Sequence, residues 1–156
     1  MSYDLLSNFD IIELADEMNI NLIGVFAKDN LKNVPIQNGG YVINLDDSTG
    51  QGTHWTGFYI DGNNVIYFDS FGGVPPLSVE RYCRNKNFIY SDFIIQNLNQ
   101  VACGYYQLAF LHYMTNSKHK NSRYKLNNFI KPFNLDDTTQ NDNILQDYLL
   151  KNVKIN

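Results

Sequence analysis

The chain has 156 residues, of which 44% are hydrophobic and 14% aromatic, and it carries a net charge of −4. This length predicts one domain over residues 1–156. A domain of this size buries roughly 70% of the surface of its unfolded chain, so it needs neither disulfides nor a metal to fold. The sequence has no run of eighteen apolar residues, which excludes a membrane-spanning helix.

Two features indicate a reducing, intracellular compartment. The chain has only two cysteines, Cys83 and Cys103, which do not make a disulfide framework. Residues 1–10 carry acidic side chains where a secretory signal peptide has basic ones. We therefore expect an intracellular protein that is not secreted.

The charges are distributed unevenly along the chain. Residues 1–80 contain eleven acidic and two basic side chains, whereas residues 81–131 contain eight basic side chains and a single acidic one. Such a basic block can form a face that binds nucleic acid or an acidic partner. It can equally be a solvated surface whose charges intermix with the acidic ones after folding.

The first predicted elements are a helix and two strands. Ser7 is a candidate N-cap, and the apolar residues at helical spacing after it predict a helix over residues 8–19. Residues 22–28 predict a short buried strand or a turn. The loop at 38–40 leads into a predicted strand at 41–45.

Residues 54–71 predict a β-hairpin, with its tip at the Gly-Asn pair 62–63, which is favoured in two-residue hairpin turns. In that register Thr56 lies opposite Asp69. Because side chains alternate between faces, His54 then lies on the same face as Asp69. Their Cα atoms are ~7–8 Å apart, within reach of a direct imidazole–carboxylate hydrogen bond.

The rest of the chain is predicted to be mainly helical. Helices are expected at residues 77–86, 103–115, 126–131 and 144–153, and residues 88–95 have strand character. The 103–115 segment is apolar nearly all round, which predicts a central buried helix. Together the elements predict an α+β fold, a small mixed or antiparallel sheet with packed helices and Cys103 at the N-terminus of the central helix.

Cys103 is the candidate nucleophile. It follows a polar loop at the start of the buried helix, where unpaired N–H groups and the positive end of the helix dipole favour a thiolate. Gly104 leaves the approach to the thiol uncrowded. Gln96 can direct its amide toward the thiol and donate to a developing oxyanion. With His54 as general base and Asp69 orienting it, these residues fit a nucleophilic catalytic site.

Each of these residues also has a structural interpretation. Cys103 can be a small core residue, and His54 can be a structural histidine of a strand. Asp69 can cap the turn that follows it. Gln96 can bond loop backbone, and Gln100 is a rival for its role.

Four segments resemble the adenovirus-type (adenain-like) cysteine proteases, which share their catalytic layout with proteases that process SUMO and ubiquitin-like proteins. The segments are Gly52–Trp55, similar to the family's G-x-H-W motif; Tyr67–Gly72, similar to its acidic-residue strand; Gln96–Gly104, similar to its Gln-loop-Cys-Gly segment; and Asn21–Phe26, similar to its N-terminal segment. The resemblance covers about residues 5–115. The loops resemble the branch found in virophages and Polinton-type elements.

The resemblance implies a role for each matching residue. Cys103 is the implied nucleophile, His54 the base and Asp69 its orienter. Gln96 is implied in the oxyanion hole.

Trp55 and Gly104 are the expected substrate-binding residues. The resemblance implies that Trp55 walls a narrow channel that favours glycine near the scissile bond. The alternative is that Trp55 is plain core.

The sequence departs from the family pattern at two points. Asp69 stands where adenovirus enzymes have Glu, which changes the reach of the side chain rather than its role. Adenovirus proteases also use an activating peptide joined by a disulfide to a cysteine between the acidic strand and the Gln loop. Cys83 falls in that interval but lies in the predicted 77–86 helix, so no peptide cofactor is expected. No other candidate metal ligands accompany His112 and His119, so no metal is expected either.

We therefore expect a monomeric cysteine endopeptidase that processes capsid precursors at glycine-containing sites. Its expected location is the virion, or a virus factory in the host cytoplasm or nucleus, without a membrane partner. The alternatives are a deconjugase of a ubiquitin-like modifier and an inactive, protease-like binding module. Non-specific DNA contact is also expected, through Arg81, Arg84, Lys86, Lys118, Lys120, Arg123 and Lys125.

Overall fold

The computed structural model describes residues 3–46, 54–97 and 101–152. These residues form a five-stranded sheet with packed helices, which confirms the predicted α+β class. In chain order the elements are α1 (Asn8–Glu17), β1 (Leu22–Ala27), β2 (Gly39–Asn44), β3 (Trp55–Asp61), β4 (Asn64–Phe68), α2 (Leu77–Tyr82), β5 (Asn87–Tyr90), α3 (Cys103–Asn116), α4 (Ser122–Ile130), a short 3-10 helix (Thr138–Gln140) and α5 (Asn141–Asn152). No helix within the described ranges has the length and apolar character needed to span a bilayer.

The sheet is mixed and has the strand order β1-β2-β3-β4-β5. Strand β3 pairs antiparallel with both of its neighbours, whereas β1 pairs parallel with β2 and β4 pairs parallel with β5. As a result, the carboxyl ends of β1, β2, β4 and β5 and the amino end of β3 lie along one end of the sheet. We call this end the site end.

The β3–β4 hairpin has the predicted register. Asp61 pairs with Asn64 across the two-residue tip, and the ladder continues to Gly57 opposite Phe68. Gly62 has a φ of 59°, in the left-handed region that a two-residue hairpin turn requires. The next position beyond the ladder brings Asp69 to the level of Thr56, as the sequence predicts.

The two faces of the sheet build separate cores because side chains alternate along each strand. Helix α3 covers one face, where the strand residues are Val42, Ile66 and Phe68. Residues of α2 cover the other face, where the strand residues are Tyr41, Ile43, Phe58, Ile60, Val65 and Tyr67. Nine of the fourteen residues of α3 are buried, which confirms it as the central helix.

Helices α1 and α3 begin differently. Ser7 caps α1 through a reciprocal pair: Asp10 N–H donates to Ser7 Oγ (3.1 Å) and Ser7 N–H donates to Asp10 Oδ2 (2.9 Å). The N-cap residue of α3 is the buried Ala102, whose side chain makes no capping hydrogen bond. The backbone N–H groups in the first turn of α3 are therefore not hydrogen-bonded to the side chain of the N-cap residue.

Three predicted elements are shorter or more exposed than the sequence indicates. Helix α1 ends at Glu17 because Asn19 adopts a left-handed φ of 55°. Strand β1 is half-buried throughout rather than buried, since as an edge strand it has a neighbour on one side only. The strand predicted at 88–95 ends at Tyr90, because β4 ends at Phe68 and offers no longer partner.

Helix boundaries differ in the second half of the chain. Helix α2 ends at Tyr82 rather than at 86, since Asn85 has a φ of 70°. Helix α4 begins at Ser122 rather than 126, because the Asn121 side chain accepts from Tyr124 N–H (2.9 Å) and caps it. Helix α5 begins at Asn141, three residues before the predicted start.

Candidate active site

His54 and Asp69 meet at the site end of the sheet. His54 directly precedes β3 and Asp69 directly follows β4, so the hairpin register sets the distance between them. His54 Nε2 and Asp69 Oδ1 are 2.7 Å apart, and Asp69 is 5% exposed. The pair is a short hydrogen bond of the charge-assisted kind.

The Asp69 carboxylate lies against the turn that follows it. Oδ1 also accepts from the backbone N–H of Phe71 (2.8 Å). Oδ2 lies over Gly73, where an added Cβ would be 2.5 Å from it. The Phe71 ring stacks on the imidazole of His54 with a centroid separation of 4.7 Å. Both members of the pair are therefore fixed by residues just after the acid.

Cys103 is the first residue of α3, and its thiol lies near enough to the imidazole of His54 to raise the pKa of that ring. Because Nε2 of His54 faces Asp69, the other ring nitrogen, Nδ1, is the one available to the thiol. Cys103 is 5% exposed, so a small part of it reaches the surface. The geometry has the order of a thiol–imidazole–carboxylate triad.

The environment of His54 favours its protonated form. Burial is the largest influence on its pKa and lowers it. The hydrogen bond to Asp69, the charge of that carboxylate and the nearby Cys103 thiol outweigh burial and raise the pKa from 6.5 to about 9. At neutral pH the imidazole therefore carries a proton on each nitrogen.

Gln96 is buried and bonded to the residue after the acid. Ser70 Oγ–H donates to Gln96 Oε1 (2.7 Å), and Ser70 O accepts from the backbone N–H groups of Ile95 (2.8 Å) and Gln96 (3.0 Å). Ser70 itself is fully buried. Asp69 thus contacts His54, and the next residue, Ser70, contacts Gln96.

The segment that carries Gln96 is also tied to α5. Asn141, the first residue of α5, is fully buried. Its Nδ2 donates to the carbonyl oxygens of Ile95 (2.8 Å) and Asn134 (2.9 Å), and its Oδ1 accepts from Asn134 N–H (2.8 Å). One buried amide therefore connects the C-terminal helix to the segment beside the site.

Trp55 and Gly104 lie beside each other near the thiol. A Cβ added at Gly104 would be 3.4 Å from Trp55 Cδ1 and 3.0 Å from Leu6 Cδ1. The indole Nε1–H donates to the Leu6 carbonyl (2.9 Å). Trp55 is 8% exposed and belongs to the core under α3, so most of its surface packs and only an edge reaches solvent.

The fold has known counterparts, although the sequence has none that can be matched. No protein-family model matches the chain, and no curated protein matches its sequence. The crystal structure of the ASFV pS273R protease superposes with a TM-score of 0.58 at 18% identity, covering 97% of this chain and 69% of that one. The chain shares the fold of that viral protease. The central domain of the uncharacterized Lpg1148 protein from Legionella pneumophila superposes with a TM-score of 0.49 at 14% identity, covering 96% of both chains.

Of the site residues predicted from the sequence, His54 and Asp69 are hydrogen-bonded, Cys103 lies near the His54 imidazole, and Gln96 is bonded to Ser70, the residue after Asp69. Sequence reasoning missed the other residues that hold the site, which are Ser70, Phe71, Gly73 and Asn141. Gly52, Thr53 and Gln100 lie outside the described residues.

The remaining cysteine and histidines have structural roles. Cys83 is fully buried in the core under α2, and burial raises its pKa to about 12. His112 Nδ1 is 2.7 Å from the Tyr148 hydroxyl, and His119 is exposed against the Tyr124 ring. Among the described residues no cluster of His, Cys, Asp or Glu side chains could hold a metal ion.

In the folded protein, the basic side chains of residues 81–131 have different environments. Lys125 is buried and pairs with Asp61 (3.4 Å). Lys86 donates to the Gly62 carbonyl (2.6 Å), and Arg123 donates to the Tyr90 carbonyl (3.0 Å). The exposed cations that remain from the block lie on different elements.

Proposed function

We propose that the chain is a cysteine endopeptidase with Cys103 as nucleophile, His54 as acid–base group and Asp69 as its orienting carboxylate. The observation that carries the proposal is the 2.7 Å bond between His54 and Asp69 beside a thiol at the uncapped start of α3. Residues from three separate elements converge on this arrangement. The shared fold with a viral protease supports the same assignment.

The reaction proceeds through a thioester. The sulfur of Cys103 attacks the peptide carbonyl carbon, and the carbonyl electron pair moves onto oxygen. When that pair returns, the C–N bond breaks and His54 gives its proton to the leaving amine. Water then attacks the thioester, losing a proton to His54, and the product carboxylic acid leaves as the sulfur is released.

Gln96 and the first-turn amides of α3 stabilise the oxyanion. The Ser70 hydroxyl donates to the amide oxygen of Gln96, which identifies the other end of the amide as the NH₂ donor. The N–H groups at the start of α3 are not bonded to a capping side chain and carry the positive end of its dipole. Donors fixed before the reaction need no reorganisation when charge develops.

We further propose that the substrates are capsid precursors of a virus or a virus-like element, cut after glycine. The position of Trp55 beside Gly104 supports a narrow approach to the thiol. Trp55→Ala should therefore broaden the residues accepted before the scissile bond. A peptide library cut mainly after large side chains by the unmodified protein would contradict the glycine preference.

The decisive test is co-expression with candidate capsid precursors, followed by mass spectrometry of new protein termini. We expect cleavage by the wild-type chain and none by Cys103→Ala. The matched control is Cys83→Ala, which removes the other thiol, distant in the opposite core, and should keep activity. Cleavage by Cys103→Ala as efficient as wild type would disprove the mechanism.

Two rival functions give different results in simple assays. An inactive binding module would leave Cys103 unreactive toward iodoacetamide at neutral pH. A deconjugase would cut isopeptide-linked ubiquitin-like conjugates and leave capsid precursors intact.

A further inference from the structure

A groove of about 580 Å³ lies between the segment that follows β1 and helix α2. Four basic side chains line it: Lys28, Lys32, Arg81 and Arg84. Asp29 is the one acidic side chain in its lining. We call this feature the basic groove.

The cations of the basic groove differ from three basic side chains elsewhere in the protein. Lys125, Lys86 and Arg123 are each engaged with a carboxylate or a carbonyl oxygen. In the described part of the chain, no side chain accepts a hydrogen bond or forms an ion pair with the four groove cations. Like charges gathered at a concave surface create a positive potential that attracts an anionic partner.

The groove also has rigid apolar walls. Leu31 is buried in the core beneath it, and Ile36 presents an apolar side chain that is 50% exposed. The Tyr82 hydroxyl donates to the Pro35 carbonyl (3.1 Å) and contacts the Tyr41 hydroxyl (3.1 Å), which fixes one wall. A nucleic-acid backbone has no aliphatic groups to fill such walls, whereas a peptide with acidic and aliphatic side chains matches both features.

One of the groove residues, Lys28, lies near the site end of the sheet. Lys28 follows the carboxyl end of β1, and its N–H donates to the Asn44 carbonyl at the end of β2 (3.1 Å). The next residue of that strand, Leu45, donates to the carbonyl of His54 (3.0 Å). Lys28 is therefore about two strand spacings, ~10 Å, from the start of β3.

We propose that the basic groove binds an acidic protein segment that carries aliphatic side chains. The occupant is an acidic segment of a partner protein. The proposal does not depend on proteolysis, since no groove residue belongs to the triad.

The test is fluorescence anisotropy with the full chain and a labelled Glu-rich peptide containing two leucines. We expect saturable binding that weakens about tenfold or more in the Lys32→Glu/Arg84→Glu variant. The control is Lys118→Glu/Lys120→Glu, which makes the same change in net charge at two exposed lysines outside the groove and should bind as wild type. Ile36→Ser should weaken the leucine-containing peptide and leave an all-Glu peptide unaffected.

Three outcomes would overturn the proposal. One is no binding of the acidic peptide by the wild-type chain. Another is an equal loss in the groove and control variants, which would indicate net charge alone. The third is tighter binding of a labelled DNA duplex that the groove variant abolishes, which would make the groove a nucleic-acid surface. Because these assays measure binding, a chain without protease activity can still pass them.

Discussion

Two neighbouring residues with different chemical roles favour the protonated form of His54. Asp69 holds one nitrogen through a carboxylate, and Cys103 contacts the imidazole from the start of α3. The raised pKa means that His54 keeps its proton through the neutral range and loses it as the pH rises through about 9. The protonated imidazole of His54, which has to donate a proton to the leaving amine, is therefore already present before the substrate binds.

We predict that peptide cleavage falls on the alkaline side as the pH rises through about 9. Asp69→Ala removes one of the causes that raise the His54 pKa, so the alkaline limb of its profile should move to lower pH. Turnover should fall by ~10²–10³-fold, less than the ~10⁴-fold seen when a serine triad loses its carboxylate function, because thiols are better nucleophiles. Rates measured across pH for both proteins check this. An Asp69→Ala profile that superposes on the wild-type profile would show that the acid assignment is wrong.

Ser70 should act on the reaction through Gln96. We predict that Ser70→Ala lowers kcat by ~10-fold or more, compared with ~10²–10³-fold for removing an oxyanion donor outright. In a Gln96→Ala background the same change should have no further effect, because the amide that it positions is gone. Alkylation of Cys103 by iodoacetamide forms no oxyanion and should proceed at the wild-type rate. Independent, additive losses in the double variant would contradict the positioning role.

At the scale of elements, the turn after β4 has to leave space for the carboxylate. We predict that Gly73→Ala displaces Asp69, since its Cβ would lie 2.5 Å from Oδ2, and lowers kcat with little loss of stability. Gly62→Ala is the control glycine substitution. It has open space around it and a φ of 59°, so it should cost roughly 1–2 kcal/mol of stability and leave activity unchanged. Thermal melts and steady-state kinetics on both variants separate the two effects, and full activity in Gly73→Ala would refute this account of the turn.

The contact between α5 and the Gln96 segment gives a second prediction at this scale. Asn141→Ala leaves the buried carbonyl of Ile95 without its donor, so we expect a loss of about 1–3 kcal/mol of stability and a lower kcat. Asn143→Ala is the matched control, because Asn143 is exposed and bonds only Gln140 within the described residues. Urea unfolding and kinetics measure both properties. Wild-type kcat in Asn141→Ala would show that α5 does not support the site.

The sequence predicts those elements whose signals are local. The hairpin register follows from one turn pair and side-chain alternation, and that register alone brings His54 to Asp69. The buried helix behind Cys103 follows from its apolar composition. The bond between Ser70 and Gln96 could not be predicted, because it depends on how residues 91–95 leave the sheet after β5.

At the scale of the whole molecule, basic residues that are close together in the sequence do not lie together on one surface of the folded protein. The basic block appears continuous in the sequence, yet Lys125 is buried against Asp61 of the hairpin tip. Arg81 and Arg84 instead join Lys28 and Lys32 from the acidic part of the chain. A sum over a segment cannot show this, because helices and loops direct neighbouring side chains to different surfaces.

The hydrogen bonds of the Asn141 amide also have a consequence for the order in which this protein folds during its synthesis. A nascent chain contains His54, Asp69, Gln96 and Cys103 long before the ribosome reaches α5. Until residue 141 has been made, the Ile95 carbonyl lacks its buried donor and the segment carrying Gln96 lacks its anchor. On the proposed function, cleavage should therefore begin only after α5 has been made and has docked against the Gln96 segment.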